Sequence, residues 1–424
     1  MSMTAEEARA AIEALSPQLD RYAELIVRKG LALQKGQELV VTGSVEMADF
    51  VRRVVRAGYE AGAGHVTVIW EDDVVTRLTY ENCPLSYFED LPEWKSAQLN
   101  GLAEQGAAFA RLEGSDPMAL KGIDPAKPAT ARRVANAKCR TYRDGMSFGR
   151  NAWCIAGVPI ASWAMQVFEG LEADEAIYRL WLAILKVARS DGNDPLAAWD
   201  EHNAGFERSK RFLNEHAFDR LHYQSSNGTD LVLGMNKGHI WEGGAGHLQD
   251  GTLYFPNIPT EEVFTSPDRL RCEGTVHSAL PLVHAGSIVR DFWLRFEDGA
   301  VVDYDAAEGR EVLRQILETD EGAVRLGECA LISKNTPIRE SGILFFSTLY
   351  DENASCHLAL GTGFPECIEG GLEAEREELL ERGVNWSHTH VDFMIGAADL
   401  RITGIMSSGE EVPIFVDGQW VWEG

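Results

Sequence analysis

The chain is predicted to fold as two domains, a parallel-sheet α/β domain over residues 1–205 followed by a mixed or antiparallel α+β domain over residues 206–424. Three observations predict it. A length of 424 residues exceeds what one hydrophobic core ordinarily organises. Through the first half, runs with the two-residue period of strands alternate with runs of helical period. The second half changes to short strands separated by Gly and Asp-Gly turns, the pattern of antiparallel sheets.

In order along the chain, residues 38–43 (ELVVTG) form a short β-branched run, and EMADFVRRVVRAGYEAG then has helical periodicity with arginines on its polar side. HVTVIW (65–70) follows as a second buried strand, and strand, helix, strand at this length implies a right-handed parallel crossover. GAAFARLEG (106–114) offers another strand. Pro125 and Pro128 precede a basic helix, ATARRVANAKCRTYRDG, after which NAWCIAGVP is strand-like and residues 174–188 are helical. Residues 195–218 look like a helical connector, which places the domain boundary near 200–215. Beyond it, Asp298-Gly299 and Asp417-Gly418 are hairpin signals. Gly58, Gly62 and Gly64 end a helix and enter a strand, the reverse of the order in a dinucleotide-binding loop.

Acidic residues outnumber basic ones 66 to 39, for a formal net charge of -27. Such a field repels polyanions, so neither nucleic acid nor an anionic membrane is an expected partner, whereas cationic groups are attracted. The segment MSMTAEEARAAIEALSPQL has neither a basic n-region nor an apolar h-region, and no run approaches membrane-spanning length. A cytoplasmic location is expected. The seven cysteines, at 83, 139, 154, 272, 329, 356 and 367, include no C-x-x-C pair and are expected to be reduced thiols rather than a zinc-finger set.

The stretch with the most chemistry is HTHVDFMIG, residues 388–396. On a strand, His388, His390 and Asp392 would share one face while Val391 and Phe393 took the other. Three further segments end or begin buried elements with ligand-type residues: NIPTEEVFTSPD with Glu261 and Glu262, TDEGAVRLGECAL with Glu328, and LYDENASCHLALGTGFP with Asp351, Glu352 and His357. Buried charges are costly unless paired or bound to metal. Together the glutamates, histidines and aspartate make a mixed N/O set suited to borderline divalent ions, and a two-ion centre is one established way to activate water and polarise a carbonyl.

PNIPTEEVFTSPD, EGAVRLGECAL, TLYDENASCHLALG and HVDFMIG, in this order and spacing, resemble the thermophilic-type dimetal aminopeptidase family of aminopeptidase T, aminopeptidase S and PepS. The resemblance implies a two-domain, dimeric exopeptidase that removes N-terminal residues from short peptides with two divalent ions, zinc or cobalt being usual and manganese or magnesium alternatives. It implies that Glu262, Glu328, His357, His390 and Asp392 are the metal ligands, that Glu261 is a neighbour, and that His388 lies outside the ligand pattern. Glu328 would bridge, or lie near the attacking water and act as its base. The first domain would lack ligands and cover the site.

One departure is plain. The family often has a tyrosine seven residues after His357, where this chain has Phe364, and a phenyl ring cannot donate to an oxyanion. Tyr350 is the candidate replacement. Two rival readings remain open at the level of sequence. His357, His390 and Asp392 also form a two-histidine, one-carboxylate set suited to a ring-cleaving Fe(II) dioxygenase, which needs neither Glu262 nor Glu328. Phe364 is the one feature favouring a catalytically weak peptide-binding relative. No specificity pocket is legible, because Phe345, Phe346 and Trp386 are equally good core residues.

Overall fold

The structure, a computed structural model, describes residues 3–284 and 287–423. The chain divides into two compact units, one of Met1–His202 with Ala245–Pro259 and the other of Asn203–Gly244 with Thr260–Gly424. The division falls inside the helix Pro195–His216.

The first unit is built on a five-stranded parallel sheet in the order Asn257–Ile258, Trp153–Gly157, Ala108–Glu113, Glu38–Ser44, His65–Glu71. Leu39, Val40 and Val41 are all fully buried, so the central strand is covered on both faces, as parallel sheets require. The strand His65–Glu71 is different from expectation: it is the sheet edge, and only Val66 on it is buried. Its apolar run signalled a strand correctly but carried no information about which neighbour it would lack.

The helix Ala48–Ala61 buries Phe50, Val51, Val54, Ala57 and Gly58 along one stripe and ends at Gly62, whose φ of 101° is the left-handed cap. Gly58 is needed for its small size. A Cβ there would stand 2.6 Å from Leu39 Cδ2, so glycine lets the helix sit directly on the sheet. The basic segment after Pro125 forms two helices, Ala126–Lys138 and Arg140–Ser147, that meet at Cys139. Residues 245–259 return to this unit, where Asn257 and Ile258 pair with Ile155 and Ala156.

The second unit holds two larger sheets. A five-stranded sheet runs His390–Met394, His357–Gly361, Leu326–Leu331, Val263–Thr265, Glu242–Gly243, with every neighbour antiparallel. A nine-stranded antiparallel sheet contains both predicted hairpins. Asp298 and Gly299 (φ 49° and 76°) and Asp417 and Gly418 (φ 50° and 73°) supply two consecutive left-handed residues, as a tight two-residue hairpin demands.

The core of this unit lies between the sheets. Cys329, Leu331, Leu358, Leu360, Val391 and Phe393 of the five-stranded sheet join Leu231, Leu233, Phe292 and Leu294 of the nine-stranded one in a single apolar cluster. Phe393 packs on Phe292 with ring centroids 5.8 Å apart. Each such side chain contributes about 1.5–3 kcal/mol by leaving water, which fixes one face of the five-stranded sheet against the core and leaves the other for chemistry. All seven cysteines are free thiols. Among the described residues, no helix is long and apolar enough to cross a membrane.

Candidate metal centre

The alternation of a strand places the candidate ligands. Glu328 is opposite Ala359, and Ala359 is opposite Asp392; Ala330 is opposite His357, and Gly361 opposite His390. Residues directly opposite or two apart share a face, so Glu328, His357, His390 and Asp392 all lie on the face that turns away from the apolar cluster. Phe264 is opposite Ala330, which puts Glu262, two residues earlier, on the same face. Neighbouring strands are only about 4.8 Å apart. Ala330, Ala359 and Gly361 between the ligands carry almost no side chain, so the longer donors can lean together over them.

Their donor atoms converge in two groups, Glu262 with Glu328 and His357, and Glu328 with His390 and Asp392, each within 4.8 Å. Glu328 belongs to both. His357 Nε2 is 3.3 Å from Glu262 Oε2, and His390 Nε2 is 3.1 Å from both Glu328 Oε2 and Asp392 Oδ1. Glu328 and His357 are buried, while Glu262, His390 and Asp392 are half-buried.

Both imidazoles are held the same way. His357 Nδ1 donates to the carbonyl oxygen of Glu352 at 2.9 Å, and His390 Nδ1 donates to that of Thr362 at 2.8 Å. With Nδ1 committed to a carbonyl, each ring aims Nε2 at the carboxylates, the orientation by which second-shell carbonyls prepare histidine ligands. Glu262 is positioned through its neighbour: the Glu261 N–H donates to Asn353 Oδ1 at 2.7 Å, and Asn353 is itself anchored to the Leu349 carbonyl at 3.1 Å.

Electrostatics shows what the cluster lacks. Burial alone would lower the histidines, yet the surrounding carboxylates override it and hold His357 up at about 10 and His390 well above its usual range. Burial pushes Glu328 up to about 7, whereas Asp392, which burial alone would raise, is held below its usual value by His390. Protons on the imidazoles thus supply the positive charge that the carboxylates need. Asp392 Oδ1 is buried, and among the described residues the one group that approaches it in an ion pair is His390 Nε2 at 3.1 Å. A divalent cation fits this set: two nitrogen and several carboxylate donors, preoriented, with a buried lone pair to spare.

The remaining candidates are distributed differently. His388 precedes the strand, is exposed and meets Trp386 edge-on with ring centroids 4.5 Å apart, outside the cluster. Phe364 is at the site: its ring centroid lies 5.1 Å from that of His390. Tyr350 is wholly buried and stacks on Phe345 at 4.6 Å. A small cavity of about 60 Å³ opens beside Asp392 and is lined by Phe346 and Glu352, among others. An open surface basin of about 490 Å³ around Ser225, Asp399 and Arg401 carries none of the donors. Sequence reasoning had no signal for the small residues that make room between the ligands, since Ala330, Ala359 and Gly361 acquire that role only from the cross-strand register.

The family profile described as thermophilic metalloprotease (M29) matches residues 15–420. The chain is 43% identical over 406 residues to aminopeptidase 2 of Geobacillus stearothermophilus, covering 96% of this chain and 98% of that protein. It is 42% identical over 411 residues to aminopeptidase AmpS of Bacillus subtilis (strain 168), covering 97% and 100%. The solved structure of wild-type AmpT from Thermus thermophilus matches with a TM-score of 0.90 at 39% identity, covering 96% of this chain and 100% of that one.

Proposed function

The chain belongs to the thermophilic metalloprotease (M29) family, and on that premise we propose that Glu262, Glu328, His357, His390 and Asp392 hold a pair of divalent ions in the hydrolysis of short peptides with a free N-terminus. The chain is a metallo-aminopeptidase, a hydrolase of peptide bonds, as its kinship over nearly its whole length establishes.

The observation that carries the ligand assignment is the convergence of five donors in two overlapping groups that share Glu328. A single divalent ion would leave one of the three carboxylates uncompensated in a buried setting, so the set favours two. When bound, such a pair supplies Lewis acidity for a carbonyl and lowers the pKa of water toward neutrality. Zinc or cobalt suits the mixed nitrogen and oxygen donors, with manganese or magnesium as alternatives.

The roles of the protein's own groups follow from their placement. Glu328, buried and common to both groups, is the shared donor and the base that takes a proton from the attacking water. His357 and His390 are kept in one tautomer by their carbonyl partners. Glu261 is a side chain suited to attracting the substrate's α-ammonium group, whereas burial and the neighbouring Asp392 and Glu262 hold the Glu352 carboxyl well above its usual range. Tyr350, stacked on Phe345, is the donor this proposal offers to the oxyanion in place of a tyrosine at position 364. The second domain of the sequence reading, residues 206–424, is the catalytic one in this proposal and residues 1–205 supply no ligand. The net charge of -27 argues against polyanionic partners. The unpaired cysteines support a cytoplasmic enzyme, and the family resemblance supports a homodimer.

The test is release of a leaving group from leucyl and arginyl substrates with and without a chelator. Wild-type release should be lost on chelation and restored by zinc or cobalt, and His390→Ala should lose release together with the ion of the one group that His390 serves. Full activity in His390→Ala would overturn the assignment.

A further inference from the structure

The cavity of about 60 Å³ beside Asp392 is not explained by metal binding. Met394 continues the ligand face two residues beyond Asp392, so the same row of side chains that is ionisable at His390 and Asp392 becomes apolar. Leu282 and Val283, from the strand Leu282–His284, and Phe346 complete an apolar wall. Thr348, also on the lining, is exposed, so the cavity has a solvent-facing mouth.

Phe346 is held there by its backbone. Its φ is 55°, in the left-handed region that bulky side chains rarely enter, and such conformations persist where the surroundings enforce them. The enforcing group is Asp351, whose two carboxylate oxygens accept from the N–H groups of Phe345 at 2.7 Å and Ser347 at 3.0 Å. That clasp turns consecutive aromatics in different directions: Phe345 goes fully into the core against Tyr350, and Phe346 lines the cavity.

We propose that this cavity is the subsite for the side chain of the substrate's N-terminal residue, that it selects short aliphatic side chains, and that Phe346 limits its depth. The inference rests on the metallo-aminopeptidase reading with the five-donor cluster as the reaction centre. Size and polarity both point to aliphatic selection. A cavity of about 150 Å³ accommodates a benzene ring, so one of about 60 Å³ excludes rings and admits a short branched chain. Each Asp351 oxygen already accepts a backbone N–H, and Leu282, Val283, Phe346 and Met394 give the lining its apolar side. Glu352 lines the end shared with Asp392, where the α-ammonium group enters, while Met394, Val283 and Phe346 receive what branches from the α-carbon.

The experiment compares kcat/KM for alanyl, leucyl and phenylalanyl substrates, with bound metal measured for each protein. Phe346→Ala should raise the phenylalanyl-to-leucyl ratio by about tenfold or more, and Val283→Phe should lower the leucyl-to-alanyl ratio by about tenfold, the size of effect a few carbon atoms produce in a hydrophobic pocket. Either shift, with metal content as in the wild type, supports the subsite. Ratios unchanged in both variants, with metal retained, would overturn it. A wild-type enzyme that releases none of the three would instead overturn the aminopeptidase reading beneath it.

Discussion

Two five-stranded sheets in this molecule use their faces in opposite ways. In the parallel sheet of the first unit, successive residues Leu39, Val40 and Val41 are buried alike, and Ala108, Phe109 and Ala110 repeat the pattern one strand over. Both faces are apolar. In the antiparallel sheet of the second unit, burial is almost as complete, with every residue of Leu326–Leu331 and His357–Gly361 inside, but the chemistry alternates: Leu358 and Leu360 on the core side, His357 on the other. The difference separates a sheet that stabilises from one that also acts. A strand buried on both faces has no reason to carry a charge unless something else compensates it.

The strongest way to break that comparison is to remove the donor common to both groups. Glu328→Gln should reduce kcat by about 10³-fold or more and reduce bound metal below that of any variant at an unshared ligand, as loss of a shared ligand and base implies. Elemental analysis and single-substrate kinetics check it. Residual activity near that of the wild type would show that Glu328 is a bystander.

The opposite face should respond in the opposite sense. Leu358→Ala, one residue from His357 and fully buried, should lower unfolding stability by about 2–5 kcal/mol while the folded enzyme keeps its metal and its kcat. Denaturant titration beside metal analysis measures both. Loss of metal from a folded Leu358→Ala protein would mean that the two faces are not independent.

These adjacent positions show how far sequence could go. The alternation across Val391, Asp392 and Phe393 was legible because it is local, and so were the hairpins at Asp298-Gly299 and Asp417-Gly418, where two left-handed residues leave a composition signal. Glu262 and Glu328 stood out only as carboxylates beside apolar runs, and it was their ordered motifs that marked them. What could not be read depends on pairing between distant segments. Ala359 gains its importance from lying between Glu328 and Asp392, the strand His65–Glu71 is an edge because nothing pairs beyond it in the described sheet, and residues 245–259 fold with the first unit through a two-residue strand. Phe345, Phe346 and Trp386 were indistinguishable by composition; structure separates them into a core ring, a cavity wall and a platform for Arg376, whose guanidinium lies 3.3 Å from the Trp386 ring centroid.

Acidity sharpens the comparison further, since only the second sheet holds imidazoles in a carboxylate cluster. Because His357 is held up at about 10 and His390 is raised as well, both must lose protons before they ligate. Metal binding near neutral pH should therefore release protons, and apparent affinity should fall by about tenfold or more for each pH unit lowered from about 8 to 6. Competition with a chelator of known pH dependence measures it. In chelator the sign reverses for stability: a histidine whose folded pKa is raised contributes fully below its unfolded value of about 6.5, and that contribution is lost as pH rises through the folded value. A pH-independent affinity would contradict the assignment of both imidazoles.

The smallest effect is expected at Phe364, whose ring lies against His390 without a donor. Phe364→Tyr places a hydroxyl at this edge of the cluster and should raise kcat by about tenfold with little change in KM, a fraction of what a fully formed oxyanion donor supplies. An unchanged or lower kcat would show that transition-state charge is stabilised from another side.

The most direct test of the central claim, that one face of one sheet holds two ions through a shared glutamate, is the metal content of purified wild type and Glu262→Gln after saturation with zinc and removal of excess. The arrangement predicts two equivalents in the wild type and one in Glu262→Gln, because Glu262 serves only the group that includes His357. One equivalent in both proteins would contradict it and leave a mononuclear site at Glu328, His390 and Asp392.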